Sequence, residues 1–248
     1  MNAIYVLWLR QVIRYTRSRA RIVAALVQPM MFLVGLGFGF RGLFARAGQG
    51  DYLQFLVPGI VGMSIIFSSM MSGMELVWDR QFGFLKETLV APVPRVSIML
   101  GRVLGGATTA WFQGVLVLAL SLAIGFRPES LSLVPAALAL MFLTAILFSA
   151  FGLIVGTLIT DMQAFPLVMN FLVMPLFFLS GAMFPLRGLP PALRVVTALD
   201  PLSYGIDAMR QVLIGASHFG LDLDVAVLGG LSLCFLGVGG YFFGRMEI

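Results

Sequence analysis

Six apolar runs, each about long enough to cross a bilayer, leave this chain few ways to fold. They cover roughly 22–41, 53–75, 103–126, 133–159, 163–185 and 223–244, each near the ~20 residues a helix needs to cross hydrocarbon with its backbone bonds closed internally. None alternates with period two, so a β-barrel is not a competitor. The 248 residues are 60% hydrophobic and 11% charged, with a mean hydropathy of +1.00. A soluble domain carries about 25% charged residues and could not hide this much apolar surface. A water-soluble enzyme, a disordered tail and a collagen-like fibre are excluded, and the sequence predicts an all-α integral membrane protein with six transmembrane helices.

Charge sets direction. Sixteen basic residues stand against eleven acidic ones, and Lys86 is the only lysine. They flank the apolar runs, so their partner is a membrane surface and not a nucleic acid. Arg10, Arg14, Arg17, Arg19, Arg21, Arg80, Lys86, Arg95, Arg102 and Arg245 share one side of the predicted topology. Arg41, Arg46, Arg127, Arg187, Arg194 and Arg210 share the other. Ten against six, with Arg19 and Arg21 abutting the first span, predicts both termini in the cytoplasm. Ala45–Arg46–Ala47 has the form of a signal-peptide cleavage site, but the apolar run before it exceeds the 7–15 residues of an h-region and reads as a span. One cysteine, Cys234, and one histidine, His218, exclude a disulfide framework, a Cys/His metal cluster and a CxxC pair.

The segments between spans are unusual. Residues 1–21 form a predicted interfacial helix ahead of a transmembrane domain over 22–248. At 100° per residue, Arg10, Arg14, Arg17 and Arg21 form one stripe opposite Ile4, Tyr5, Trp8, Val12 and Tyr15. The aromatics would sit in the lipid boundary and the guanidinium groups face phosphates or a cytosolic protein, as an anchor or as a docking surface. Arg19 lies off the stripe and would snorkel or mark the bend into span 1.

The inner loop over 76–102 reads as a compact knuckle. Asp79–Arg80 ends span 2, Gly83 breaks the helix, a short amphipathic helix runs from about 84 to 91, and Pro92 and Pro94 force extended backbone. Phe82, Phe84, Leu85, Leu89 and Val90 need an apolar cover, from neighbouring helices or from a second protein. The outer segment over 184–222 is also too apolar for a plain loop. Pro190–Pro191 opens one short helix, and Asp200–Pro201 supplies an N-cap and first-turn proline for another. Neither is long enough to span, so they lie flat or re-enter the outer leaflet.

Span centres carry no ionisable residue, which argues against an ion-coupled carrier. Four GxxxG pairs (35/39, 101/105, 152/156, 240/244) are about what 28 glycines give by chance. No GxxxxGK[ST], HExxH or GxSxG occurs, so any nucleotide site belongs to another subunit. The outer acids Asp200, Asp207, Asp222 and Asp224 with His218 are the only cluster a membrane enzyme acting on lipid head groups could use.

The chain resembles the ABC-2 family of export permeases over essentially its whole length, most nearly the daunorubicin-resistance and Nod-factor-export types. Two stretches carry the resemblance. Asp79–Arg80 through Arg95 is similar to the family's acid-Arg-x-x-Gly motif ending in Pro-x-x-Arg. Leu179-Ser-Gly-Ala-Met-Phe-Pro185-Leu186, then Leu189-Pro190 and Asp200-Pro201-Leu-Ser-Tyr204, is similar to its outer motif. Asp79 stands where the family usually has Glu, and Asp200 where it often has Asn. Phe84-Leu-Lys-Glu87 stands where Thr-Leu-Glu-x is common.

The resemblance implies a homodimer, or a pair of similar permeases, bound to two ATPase subunits that hold ATP and magnesium, with no cofactor in this chain. The knuckle becomes a cytoplasmic coupling helix. Docking falls to Arg10, Arg14, Arg17, Asp79, Arg80, Gly83, Lys86, Glu87, Leu89, Pro92 and Arg95. Spans 1, 2 and 5 line the path, with Phe171, Phe177 and Phe178 as gate residues or else as lipid or core packing. Pro185, Pro190, Asp200, Pro201, Tyr204, Asp207 and Arg210 form the outer re-entrant motif. The implied function is ATP-driven export of an amphipathic drug, lipid or lipid-linked saccharide across a bacterial or archaeal inner membrane. A haem-export or cytochrome-maturation permease is the alternative within the same architecture.

Overall fold

The computed structural model describes residues 3–46, 51–90, 92–186, 188 and 190–246, apart from the side chains of Ala45 and Leu89. Ala47, Arg187 and Leu189 lie outside the described residues, and so does the side chain proposed for docking at Leu89. Every regular element described is helical: α1 (Ala3–Arg17), α2 (Arg19–Gly39), α3 (Arg41–Arg46), α4 (Tyr52–Gln81), α5 (Phe84–Val90), α6 (Arg95–Ile124), α7 (Val134–Leu158), α8 (Ala164–Leu179), α9 (Pro191–Leu199), α10 (Pro201–Ile214) and α11 (Leu221–Gly244).

Five of these are long and apolar enough to cross a membrane: α2, α4, α6, α7 with the 3-10 turn before it, and α11. The fifth predicted span is shorter than expected. Its helix, α8, has 16 residues, about 24 Å at 1.5 Å per residue against a hydrocarbon core of about 30 Å. It stops because Ser180 caps it and Gly181 takes the left-handed backbone (φ 74°), turning the chain back under Leu186. The outer segment therefore begins a few residues before the expected 184. Span 3 instead starts early, at Arg95, because Pro94 leaves the chain extended (φ −57°, ψ 130°) and poised at a helix N-terminus.

Central in the bundle is α4, packed against α2, α6, α7, α8 and α10. Its most intimate neighbour is α7: a side chain at Gly73 would collide with the Gly152 carbonyl, and one at Gly156 would meet the Gly73 backbone. Small residues let the two backbones meet, the usual route to tight helix packing in lipid. A large apolar core runs along α4, α7 and α10, and a smaller one joins Leu76, Leu85, Ile98, Met99, Val103 and Phe243 at one end. By contrast, α2 and α11 are peripheral, with Val23, Met31 and Leu233 exposed.

Candidate functional site

One end of the bundle wears a charged collar. Helix α1 lies along the first half of α6, where Gly101 and Gly105 leave room for Leu7 and Gln11. Trp8 Nε1 donates to Thr108 Oγ1 at 3.0 Å, and the Tyr15 hydroxyl donates to Gln113 Oε1. Burial pushes the Tyr15 phenol up to about 12, with Arg21 pulling the other way. These aromatics are bonded to a neighbouring helix, not turned to the lipid boundary as the helical wheel suggested.

The arginine stripe meets the protein's own acids. Asp79, 4% exposed, accepts from Arg10 at 2.9 Å and from Arg102 of α6 at 2.7 Å. Glu75 accepts from Arg21 at 2.9 Å and Gln11 Nε2 at 3.0 Å, with Arg14 at 3.7 Å. Arg17 makes no ion pair among the described residues. Four guanidinium groups surround two carboxylates, so the collar keeps a positive excess. Sequence reading missed Glu75 and Arg102 as members. A signal existed: acids four residues apart on α4 face arginines four residues apart on α1.

Below the collar hangs a hook. Gly83 takes a positive φ of 81° and reverses the chain into α5. One described side chain anchors it: Leu85, 3% exposed, sits in the smaller core. Phe82 (67%), Phe84 (54%) and Val90 (81%) are exposed. Lys86, Glu87 and Pro92 are exposed too, and Lys86 and Glu87 form no ion pair among the described residues. Asp79 and Arg80 do not pair with each other, because neighbours on a helix point about 100° apart. Arg80 Nη2 reaches the Thr157 carbonyl at 3.4 Å, near the C-terminus of α7. Arg95 donates to the carbonyls of Gly244 (2.7 Å) and Met246 (3.2 Å), tying α6 to the end of α11.

The opposite end is locked by polar knots. Asp200 Oδ1 accepts from Leu202 N at 2.9 Å and caps α10, with Pro201 in the first turn; Oδ2 has no partner among the described residues. Burial pushes this carboxyl up to about 7, with the Leu202 N–H pulling it down. Tyr204 donates to the Ala198 carbonyl at 2.7 Å. Asp207 accepts from His218 N (2.8 Å), Phe219 N (2.8 Å) and Ser217 Oγ (3.2 Å), folding the 215–220 loop onto α10. Arg210 donates to the Gly181 carbonyl at 3.1 Å and lies 3.9 Å over the Phe55 ring. Burial lowers its pKa to about 10, partly offset by Asp207. Pro190 opens α9, and half-buried Pro185 lies in the turn before it.

The three gate candidates do not share a face. Phe177 is fully buried, edge-on to Phe32 with ring centres 6.3 Å apart, whereas Phe171 (80%) and Phe178 (43%) point outward. Among the described residues, no three His, Cys, Asp or Glu side chains converge on a metal-sized site.

A family model described as ABC-2 type transporter matches residues 2–214. The chain is 32% identical to the inner membrane transport permease YadH of Escherichia coli over 229 residues, covering 90% of this chain and 87% of YadH. It is 29% identical to nodulation protein J of Rhizobium meliloti over 221 residues, covering 87% and 84% respectively.

Proposed function

The chain belongs to the ABC-2 type transporter family, and from that premise we propose that it is the permease subunit of an ATP-driven exporter for an amphipathic drug, lipid or lipid-linked saccharide. Two copies of this chain, or this chain and a similar permease, join two ATPase subunits. The ATPases bind at the α1 and α5 end, which faces the cytoplasm with both termini. ATP binding closes the ATPases and shifts the hook. The shift passes through α4 and α6 as a rigid-body movement and opens a path between the permease copies along spans 1, 2 and 5.

One observation carries this reading. The hook exposes Phe82, Phe84 and Val90 while only Leu85 is seated among the described side chains. Apolar side chains at the water end of a membrane protein suit a protein cleft better than solvent. The collar supports the lever from behind: α1, α4 and α6 are joined through Asp79, so a push on the hook meets a braced bundle.

The test is co-purification. An affinity-tagged chain should bring down an ATPase, and Phe84→Asp should reduce the recovered ATPase at least tenfold. A Lys86→Cys variant, with Cys234 replaced by Ser, should react with a membrane-impermeant thiol reagent only in inverted vesicles. Labelling in right-side-out cells, or export by the purified chain with no ATPase present, would sink the proposal.

A further inference from the structure

Between α1, α2, α4 and α6, inside one copy of the chain, lies a cleft of about 280 Å³. One face of α4 floors it: Ser64, Phe67, Ser68, Met71, Ser72, Glu75 and Trp78 recur at helical spacing over about 21 Å. Ala24, Ala25 and Met71 stand exposed at its mouth, and Arg21 closes one end. It opens between α2 and α4, two of the spans assigned to the path above, but its occupancy does not depend on that reading.

We propose that this cleft binds the headgroup and first chain segment of an anionic phospholipid whose headgroup carries hydroxyls, one per copy. Three observations meet there. First, charge: Arg21 lines the cleft and Arg14 stands beside it, in a collar with two more guanidinium groups than carboxylates. That excess suits a phosphodiester.

Second, the polar floor is incompletely bonded. Gln113 is 1% exposed and its Nε2 has no partner among the described residues, while Oε1 of Gln11, also unpaired, lies against Gly105. Buried amide atoms without partners are costly. A headgroup oxygen that parted the side chains over Gln113 would accept from its Nε2. Ser64, Ser72 and Thr109 give their protons to carbonyls of their own helices, leaving oxygen lone pairs as further acceptors. Such a floor favours a glycerol-like head, because a choline cannot donate. Third, shape: the cleft is polar at the Arg21–Glu75 end and apolar at Ala24, Ala25, Phe67 and Met71, so a chain leaves through the mouth into the bilayer. Its volume lies just under the usual range of ligand sites, enough for a headgroup and chain start and not for a whole diacyl lipid.

Native mass spectrometry of the purified full chain tests this. Phosphatidylglycerol should bind at one per copy, at least tenfold tighter than phosphatidylcholine, and weaken as salt rises. Ala25→Trp fills the mouth and should abolish that step, whereas Leu233→Trp, on the exposed face of α11, should leave it unchanged. Arg21→Gln is the second variant: it should weaken phosphatidylglycerol tenfold and leave phosphatidylcholine where it was. Equal affinity for the two lipids would overturn the proposal. So would displacement by millimolar inorganic phosphate, which would make the occupant a free anion, or undiminished binding in both Ala25→Trp and Arg21→Gln.

Discussion

Helices α5 and α10 are both too short to cross a bilayer, and they cap opposite ends of α4 on opposite plans. In α10, eleven of fourteen residues are buried, including Asp207 and Arg210. In α5, Leu85 is the one buried side chain described, while Phe84 and Val90 face outward. One helix buries charge and the other exposes grease. Charge is sunk where fixed partners hold it, Arg210 on the Gly181 carbonyl and Asp207 under the donors of the 215–220 loop, which locks a geometry. Grease left in the open keeps a surface free for something that arrives later. The centre of the collar belongs with α10 in this respect, since Asp79 and Arg102 are buried and paired while Arg10, Arg14 and Arg21 stay exposed at its rim.

The largest effect should come from opening the collar. Asp79→Ala leaves Arg102, 7% exposed, without its carboxylate. Removing one partner of a buried ion pair costs about 3–5 kcal/mol, so thermal unfolding in detergent should move down by many degrees. Asp79→Ala unfolding with the unaltered chain would show the collar to be slack, and the contrast with α5 would lose half its support.

A second effect lies at the opposite end and depends on pH. The Asp200 carboxyl is raised from 3.8 to about 7 by burial. A group whose folded pKa is raised gives stability that is complete below pH 3.8 and is lost as pH climbs through 7. Asp200→Asn keeps an oxygen for the Leu202 N–H and cannot ionise. The unaltered chain should lose thermal stability between pH 5 and 8 relative to Asp200→Asn. Parallel curves for the two would mean that Asp200 is not desolvated as described. Next in size is Asp207→Ala, which strips the acceptor from the Phe219 and His218 N–H groups. Charge-assisted bonds of this kind contribute about 1.5–3 kcal/mol. Faster hydrogen exchange in the 215–220 loop should accompany the loss.

Much of this was legible in the sequence, for physical reasons that also mark where reading stops. Spans 1, 4 and 6 begin and end within about three residues of α2, α7 and α11, because apolar length and helix termini are local properties. The shortness of α8 was not visible, since the turn after it is as apolar as the helix. Glycine counts could not say which GxxxG pairs mattered. Gly101, Gly105, Gly152 and Gly156 meet another helix closely, whereas a side chain at Gly35, Gly39 or Gly244 would find nothing within 4 Å. What separates them is the partner helix, which no local pattern encodes. The arginine stripe was visible on α1, and the acids it meets were visible on α4. Joining them needed the fold, because 64 to 69 residues separate Gln11 from Glu75 and Arg10 from Asp79.

The smallest stability effect should be the most informative one. Phe84→Ser with Val90→Ser changes two side chains that are 54% and 81% exposed. Surface changes away from buried features stay within about 0.5 kcal/mol, so the unfolding midpoint of the isolated permease should barely move. Leu85→Ser, one residue from Phe84, removes the anchor instead and should lower it by about 2 kcal/mol or more, as loss of a buried leucine does. If the exposed face exists for an ATPase cleft, the double variant must lose the complex while keeping its stability, and Leu85→Ser must lose both. A double variant that unfolds early would mean that Phe84 and Val90 are packed within the permease after all, and α5 would then be a lock of the same kind as α10.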